Sequence, residues 1–104
     1  MSSYVHVVLF TFQENVAEAE VNSMIRDAAD LASIPRVRRL DCGRRDESIS
    51  RPVSDTSYHV GLLVCFDDRQ AYDTYSVHPT HTAFVTRYKP LWAGIRVCDF
   101  IASS

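Results

Sequence analysis

The sequence predicts an α+β fold built on a four-stranded, mostly antiparallel sheet with helices on one face. Segments patterned as strands and as helices follow one another in the order β, α, β, β, α, α, β. Two of the strands are apolar on both faces, and two or three helices cover only one face of a sheet. The second face therefore needs another molecule, and a two-fold homodimer is the commonest solution.

The length and composition favour one domain, residues 1–104. Of the 104 residues, 46% are hydrophobic and 23% are charged, which is ordinary for a globular protein. A domain of this size buries only about 65% of the surface of its unfolded chain. Docking to a second copy of the chain would therefore bury useful additional apolar surface.

The first strand and the first helix have the clearest patterns. Residues 4–12 are rich in β-branched and aromatic side chains, which predicts a strand. Apolar residues then recur at helical spacing over about residues 16–33. Asn15 and Glu18 are expected to form the N-cap of this helix and its reciprocal acid. Pro35 follows the helix and ends it.

The rest of the chain divides at its prolines and polar segments. Asp67 or Asp68 is expected to cap one helix, and Pro79 suits the first turn of the next. The predicted elements are a strand at 36–44, a polar loop at 45–56, a strand at 58–66, a helix to about 77, a helix from 79 to about 90, and a strand at 94–102.

The charge and the cysteine spacing disfavour several classes of protein. The net charge is −2 and the positive residues are interrupted by acids, which disfavours nucleic acid as a partner. The three cysteines form no CxxC pair, so neither a disulfide framework nor a metal site is expected. The apolar run at residues 5–12 is too short to span a membrane, and no membrane partner is expected. The interpretation is a cytoplasmic protein.

The segment from Tyr75 to His81, YSVHPTH, is the most distinctive candidate for chemistry. His81 falls in the first turn of a helix, where the helix dipole disfavours the imidazolium form. A neutral imidazole is what a general base needs near pH 7. Tyr75 lies upstream, and His6 is on the same strand face as Val8, so the three polar side chains are expected to converge on a small pocket.

Structural roles compete with each of these assignments. His6 and Tyr75 are also typical of core residues whose polar atoms are hydrogen-bonded. His78 favours a capping role next to Pro79. Asp99, inside an apolar strand, is either an exposed acid or a hydrogen-bonding residue at an interface.

The chain resembles the stress-responsive dimeric α/β-barrel family over nearly its whole length. The most specific match is YxxHPxH, Tyr75 to His81. The supporting matches are HVVLFTF at 6–12, IPRV at 34–37, YHVGLLVCFDD at 58–68 and VCDF at 97–100. The resemblance implies a ferredoxin-like protomer, a homodimer with two sheets face to face, and a pocket between sheet and helices in each protomer.

A plant polyketide cyclase of that family works without metal or cofactor, which implies the same here. The resemblance implies that His81 removes a proton α to a carbonyl, that Tyr75 bonds the histidine or the enolate oxygen, and that His6 orients a carbonyl or aromatic ligand. The residues expected to bind the substrate are Val8, Phe10, Met24, Ala28, Leu62, Phe84 and Val85.

Three hypotheses for function stay open from the sequence. The first is a cofactor-free cyclase, lyase or isomerase acting on a carbonyl compound through His81 and Tyr75. The second is a non-catalytic stress-responsive or ligand-binding protein. The third is a cofactor-independent or haem monooxygenase-like protein, because related barrels carry out such chemistry. Fold alone does not choose among them.

Overall fold

The computed structural model describes residues 2–103. No helix in that range has the length and apolar character needed to cross a membrane. The elements are β1 (Ser3–Phe12), α1 (Glu18–Ala28), a 3-10 helix (Ala29–Ser33), β2 (Val37–Arg44), β3 (Val60–Phe66), α2 (Arg69–Val77), α3 (Pro79–Tyr88), a second 3-10 helix (Lys89–Leu91) and β4 (Trp92–Ala102). The predicted order of strands and helices is confirmed.

The four strands form one sheet in the order β2-β3-β1-β4, and every neighbouring pair is antiparallel. The predicted four-stranded antiparallel sheet is therefore confirmed. The central strands β1 and β3 are the two that the sequence marked as apolar on both faces. The strands β2 and β4 are the edges of the sheet.

The helices cover one face of the sheet, here called the inner face. Side chains of β3 alternate strictly between buried and half-buried, which is the expected period of two for a strand. The inner face of β1 and β3 is fully covered, whereas β4 is exposed along most of its length. The buried inner-face residues of these two strands are Tyr4, His6, Val8, Phe10, Phe12, Val60, Leu62, Val64 and Phe66.

The start of α1 differs from the expectation. The N-cap is Ala17 rather than Asn15, and the Glu20 carboxylate accepts the Ala17 backbone N–H at 3.4 Å. Glu18 does not serve as the reciprocal acid, because its carboxylate pairs with Arg44 at 2.7 Å. The cap is therefore two residues later than predicted, since the acid that closes it is Glu20.

The junction of α2 and α3 follows the expected capping pattern. The Asp68 carboxylate accepts the Ala71 N–H at 2.9 Å and caps α2. His78 Nδ1 accepts the Thr80 N–H at 3.1 Å and caps α3, and Pro79 is the first residue of that helix. The predicted capping role of His78 is confirmed. This junction sets the position of His81 in the first turn of α3.

Candidate functional site

A cavity of about 470 Å³ lies between the inner face of the sheet and the helices α2 and α3. That volume is within the range of small-molecule sites. Most of its wall is apolar, with a few polar groups among the apolar side chains. Five of the predicted substrate-binding residues line it, namely Val8, Phe10, Leu62, Phe84 and Val85.

The cavity opens along the edge strand β4. Ile95 and Val97 line it and are each 48% exposed, since no helix covers this strand. Trp92 forms part of the wall, and its ring lies 4.8 Å from that of Phe10. A ligand can therefore reach the cavity from the β4 side without unfolding any part of the core.

Met24 and Ala28, which were expected to bind the substrate, are not among the residues that line the cavity. Both are fully buried in the core beneath α1. The Trp92 Nε1–H points to Met24 Sδ at 3.3 Å, so the indole stands on the cavity wall and Met24 is bonded to it. The predicted strand began at residue 94, so no sequence pattern indicated that Trp92 lies on this wall.

His81 is the third residue of α3 and presents one nitrogen to the cavity. Its Nδ1 lies 3.1 Å from the Ser76 carbonyl oxygen, which only accepts, so Nδ1 carries the proton. Nε2 then has a free lone pair. Burial lowers the pKa of His81, with a smaller contribution from His6, while the bond to Ser76 acts in the opposite direction. The imidazole is therefore neutral near pH 7.

Tyr75 lies directly against His81. The two ring centroids are 4.5 Å apart, and Tyr75 is 1% exposed. Its hydroxyl bonds no other described residue, although every fully enclosed side-chain N or O atom among residues 2–103 has a partner. The hydroxyl therefore borders the cavity. Burial raises the pKa of Tyr75, so the group remains a hydrogen-bond donor.

His6 reaches the same cavity from β1. Its ring centroid is 6.2 Å from that of Tyr75, so the structure brings His6, Tyr75 and His81 together. No hydrogen bond joins Tyr75 to His81 in the described part of the chain; the two rings pack against each other with their planes tilted by 38°. The Tyr75 hydroxyl and His81 Nε2 therefore do not occupy each other, and each is free to bond a ligand.

Asp99 is a member of the site that the sequence did not assign to it. Asp99 and His6 are opposite each other in the β1–β4 register, and Asp99 Oδ1 lies 2.6 Å from His6 Nδ1. The side chains are 28% and 8% exposed. Asp99 therefore lies on the inner face and holds the His6 ring. Only the register reveals the pair, since the residues are far apart in sequence.

The wall includes further residues that were not predicted to lie there, among them Tyr72, Ser76 and Lys89. Tyr72 and Ser76 follow from the helical spacing of α2, because they lie one turn before and one residue after Tyr75. Lys89 lies after the last turn of α3 and borders the mouth. Its position follows from the stripe that begins at His81, since Lys89 is eight residues further along and precedes Pro90, the residue expected to end the helix.

A family model described as the Stress responsive A/B Barrel Domain matches residues 5–102. The match covers nearly the whole chain and includes every residue of the site described above. It agrees with the resemblance that the sequence motifs indicate.

Individual proteins are also similar to this chain over most of its length. Olivetolic acid cyclase from Cannabis sativa is 20% identical over 96 residues, which are 91% of this chain and 92% of that protein. A hydroxynitrile lyase from Passiflora edulis has a TM-score of 0.83 at 14% identity, with 98% and 94% of the two chains covered. A dimeric ferredoxin-like protein of unknown function from Thermobifida fusca has a TM-score of 0.80 at 21% identity, with 98% and 92% covered. These structures share the ferredoxin-like fold.

Proposed function

The chain belongs to the stress-responsive A/B barrel domain family, and from that premise we propose that it is a cyclase- or lyase-type enzyme acting on a small carbonyl compound. His81 is the general base, Tyr75 is the hydrogen-bond donor to the carbonyl oxygen, and His6 orients the substrate. The cyclase and the lyase among the similar proteins support this class of reaction. Both reactions make or break a bond next to a polarised carbon–oxygen group.

The proposed step is removal of a proton α to the carbonyl. His81 Nε2 takes the proton, and the electron pair of the C–H bond moves to form the enolate. The negative charge collects on the oxygen, where the Tyr75 hydroxyl donates a hydrogen bond. The Ser76 carbonyl, already bonded to Nδ1, stabilises the imidazolium that results. The proton then returns to the product oxygen or carbon, so His81 ends the cycle neutral.

One observation carries this proposal: a neutral His81 packed 4.5 Å from Tyr75 at the wall of an apolar cavity. Inside such a cavity a hydrogen bond to a developing charge is worth more than in water. The Nε2 of His81 bonds no other described residue.

We also propose that the protein works as a homodimer through the outer face of the sheet, the face opposite the helices. That face carries Val7, Leu63 and Phe100, and Phe100 is 53% exposed. A second copy is the partner that buries this apolar surface symmetrically. The dimeric description of the Thermobifida fusca protein supports the proposal.

The test is exchange of the α protons of 4-phenyl-2-butanone in D₂O, followed by proton NMR. The parent protein is expected to accelerate exchange, and His81→Gln is expected to lose the acceleration by about 100-fold or more. Tyr75→Phe is expected to lose about 10-fold or more. His78→Asn is the matched control, because it removes a neighbouring imidazole and keeps an N-capping side chain.

Two results would count against the enzyme. If His81→Gln exchanges the ketone as fast as the parent, His81 is not the base. If the ketone alters Trp92 fluorescence but no variant, nor the parent, accelerates exchange, the cavity belongs to a ligand-binding protein. Trp92 is the chain's only tryptophan and lines the cavity, so its emission reports binding there.

A further inference from the structure

Lys89 is the only lysine in the sequence, and it borders the mouth of the cavity. We propose that Lys89 binds a carboxylate of the ligand, so that the substrate class is a carbonyl compound that also carries an acidic group. The inference rests on the small-molecule function proposed above and adds the charge of the molecule that the cavity accepts.

Lys89 is an exposed cation without an acid beside it in the described part of the chain, unlike most of the arginines. Eight arginines form ion pairs with aspartate or glutamate side chains. Within residues 2–103, Lys89 forms none. Pairing of the arginines neutralises charge elsewhere on the surface. The Lys89 ammonium therefore remains available to a ligand at the mouth.

The cavity itself favours an anion. None of the residues that line it is acidic. The nearby acid, Asp99, does not line the cavity, and one of its carboxylate oxygens, Oδ1, is bonded to His6 Nδ1 at 2.6 Å. A ligand carboxylate at the mouth therefore meets an attractive charge at Lys89 and no facing acid from the cavity wall. A positively charged ligand has no corresponding partner there.

The spacing along α3 places the two ends of such a ligand. Lys89 follows His81 by eight residues, which separates their Cα atoms by about 12 Å along the helix axis. The ligand carbonyl thus reacts at His81 and Tyr75, near the N-terminal end of α3. The ligand carboxylate binds Lys89, at the C-terminal end of the same helix. The flexible four-carbon stem of Lys89 lets the ammonium follow ligands of different length.

The side chain of Lys89 can be changed without removing its structural contact. The backbone N–H of Lys89 bonds the Val85 carbonyl and closes α3, and this bond does not depend on the side chain. Lys89→Met keeps much of the length and removes the charge, whereas Lys89→Arg keeps the charge. Arg51→Gln removes a positive charge from the loop between β2 and β3, away from the cavity, and is the matched control.

The experiment compares two probes of equal length, 5-oxo-5-phenylpentanoate and 5-oxo-5-phenylpentanamide, by titration of Trp92 fluorescence. The parent is expected to bind the carboxylate about three- to fivefold more tightly than the amide. Lys89→Met should bring the ratio to about one, while Lys89→Arg and Arg51→Gln should preserve it. Raising the salt concentration should reduce the preference of the parent.

The inference is overturned if the parent binds both probes equally, or if Lys89→Met keeps the full preference for the carboxylate. These results leave the proposed proton abstraction untouched, because it is measured by exchange of a neutral ketone. Conversely, a loss of exchange would leave the binding ratio unchanged. If neither probe binds, the role of Lys89 is wrong, while the proposed proton abstraction is still decided by exchange of the neutral ketone.

Discussion

The pair formed by His6 and Asp99 should stabilise the protein measurably. The perturbation is Asp99→Ala, which removes the carboxylate that lies 2.6 Å from His6 Nδ1. His6 is 6% exposed as a residue, so its ring nitrogen gains little access to water when its partner is lost. A buried polar atom left without a partner costs free energy.

The magnitude follows from the burial of the two side chains. A hydrogen bond to a charged group contributes about 1.5 to 3 kcal/mol. The Asp99 side chain is 28% exposed, which allows water to screen the interaction and favours the lower end. We expect the coupling free energy between the two side chains to be about 1.5 kcal/mol. If Asp99→Ala lowers the free energy of unfolding by that amount, the melting temperature of a domain of this size falls by about 6 to 12 °C.

The assay is a double-mutant cycle of Asp99→Ala, His6→Ala and the double variant, unfolded in urea at one protein concentration. Asp99→Asn should recover part of the loss, because the amide oxygen still accepts a hydrogen bond. A coupling free energy below about 0.5 kcal/mol would refute the assignment of Asp99 as the residue that holds His6.

The remaining predictions concern acidity, assembly and thiol reactivity. Because burial lowers the pKa of His81, the exchange rate should rise with pH below about 6.5 and then level off; a fall over that range would contradict a neutral base. Phe100→Arg should give monomers in analytical ultracentrifugation where the parent is dimeric, and an unchanged mass would exclude the outer face as the interface. In that variant, a thiol reagent at pH 8 should modify exposed Cys98 at least about tenfold faster than Cys42, because burial raises the pKa of Cys42 to about 11. Equal rates, resolved with Cys42→Ser and Cys98→Ser, would contradict the burial of Cys42.

The fold could be predicted because its signals are local. Strand patterns, the Asp68 and His78 caps and Pro79 each act over a few residues, and each is present in the structure. The first residue of α1 could not be predicted from local signals alone. Asn15 and Ala17 both precede an acid at the right spacing, and a contact with Arg44, distant in sequence, engages Glu18.

The site was only partly predictable, since part of it depends on strand register. Helical spacing placed His81, Phe84 and Val85 on one stripe, and all three line the cavity. The partnership of Asp99 with His6 depends on how β4 aligns with β1, and no local pattern specifies that alignment. Met24 lies on the apolar stripe of α1, as the sequence indicated. The indole of Trp92, and not Met24, lines the cavity.

The protonation state of the His81 ring decides whether His81 can act as the base. Nitrogen-15 NMR of the imidazole distinguishes the two neutral tautomers and the imidazolium form. We predict a neutral ring at pH 7, with the proton on Nδ1 and an unprotonated Nε2 that responds when 5-oxo-5-phenylpentanoate enters the cavity. An imidazolium at pH 7, or a proton on Nε2 in the neutral ring, would contradict the role of His81 as the base.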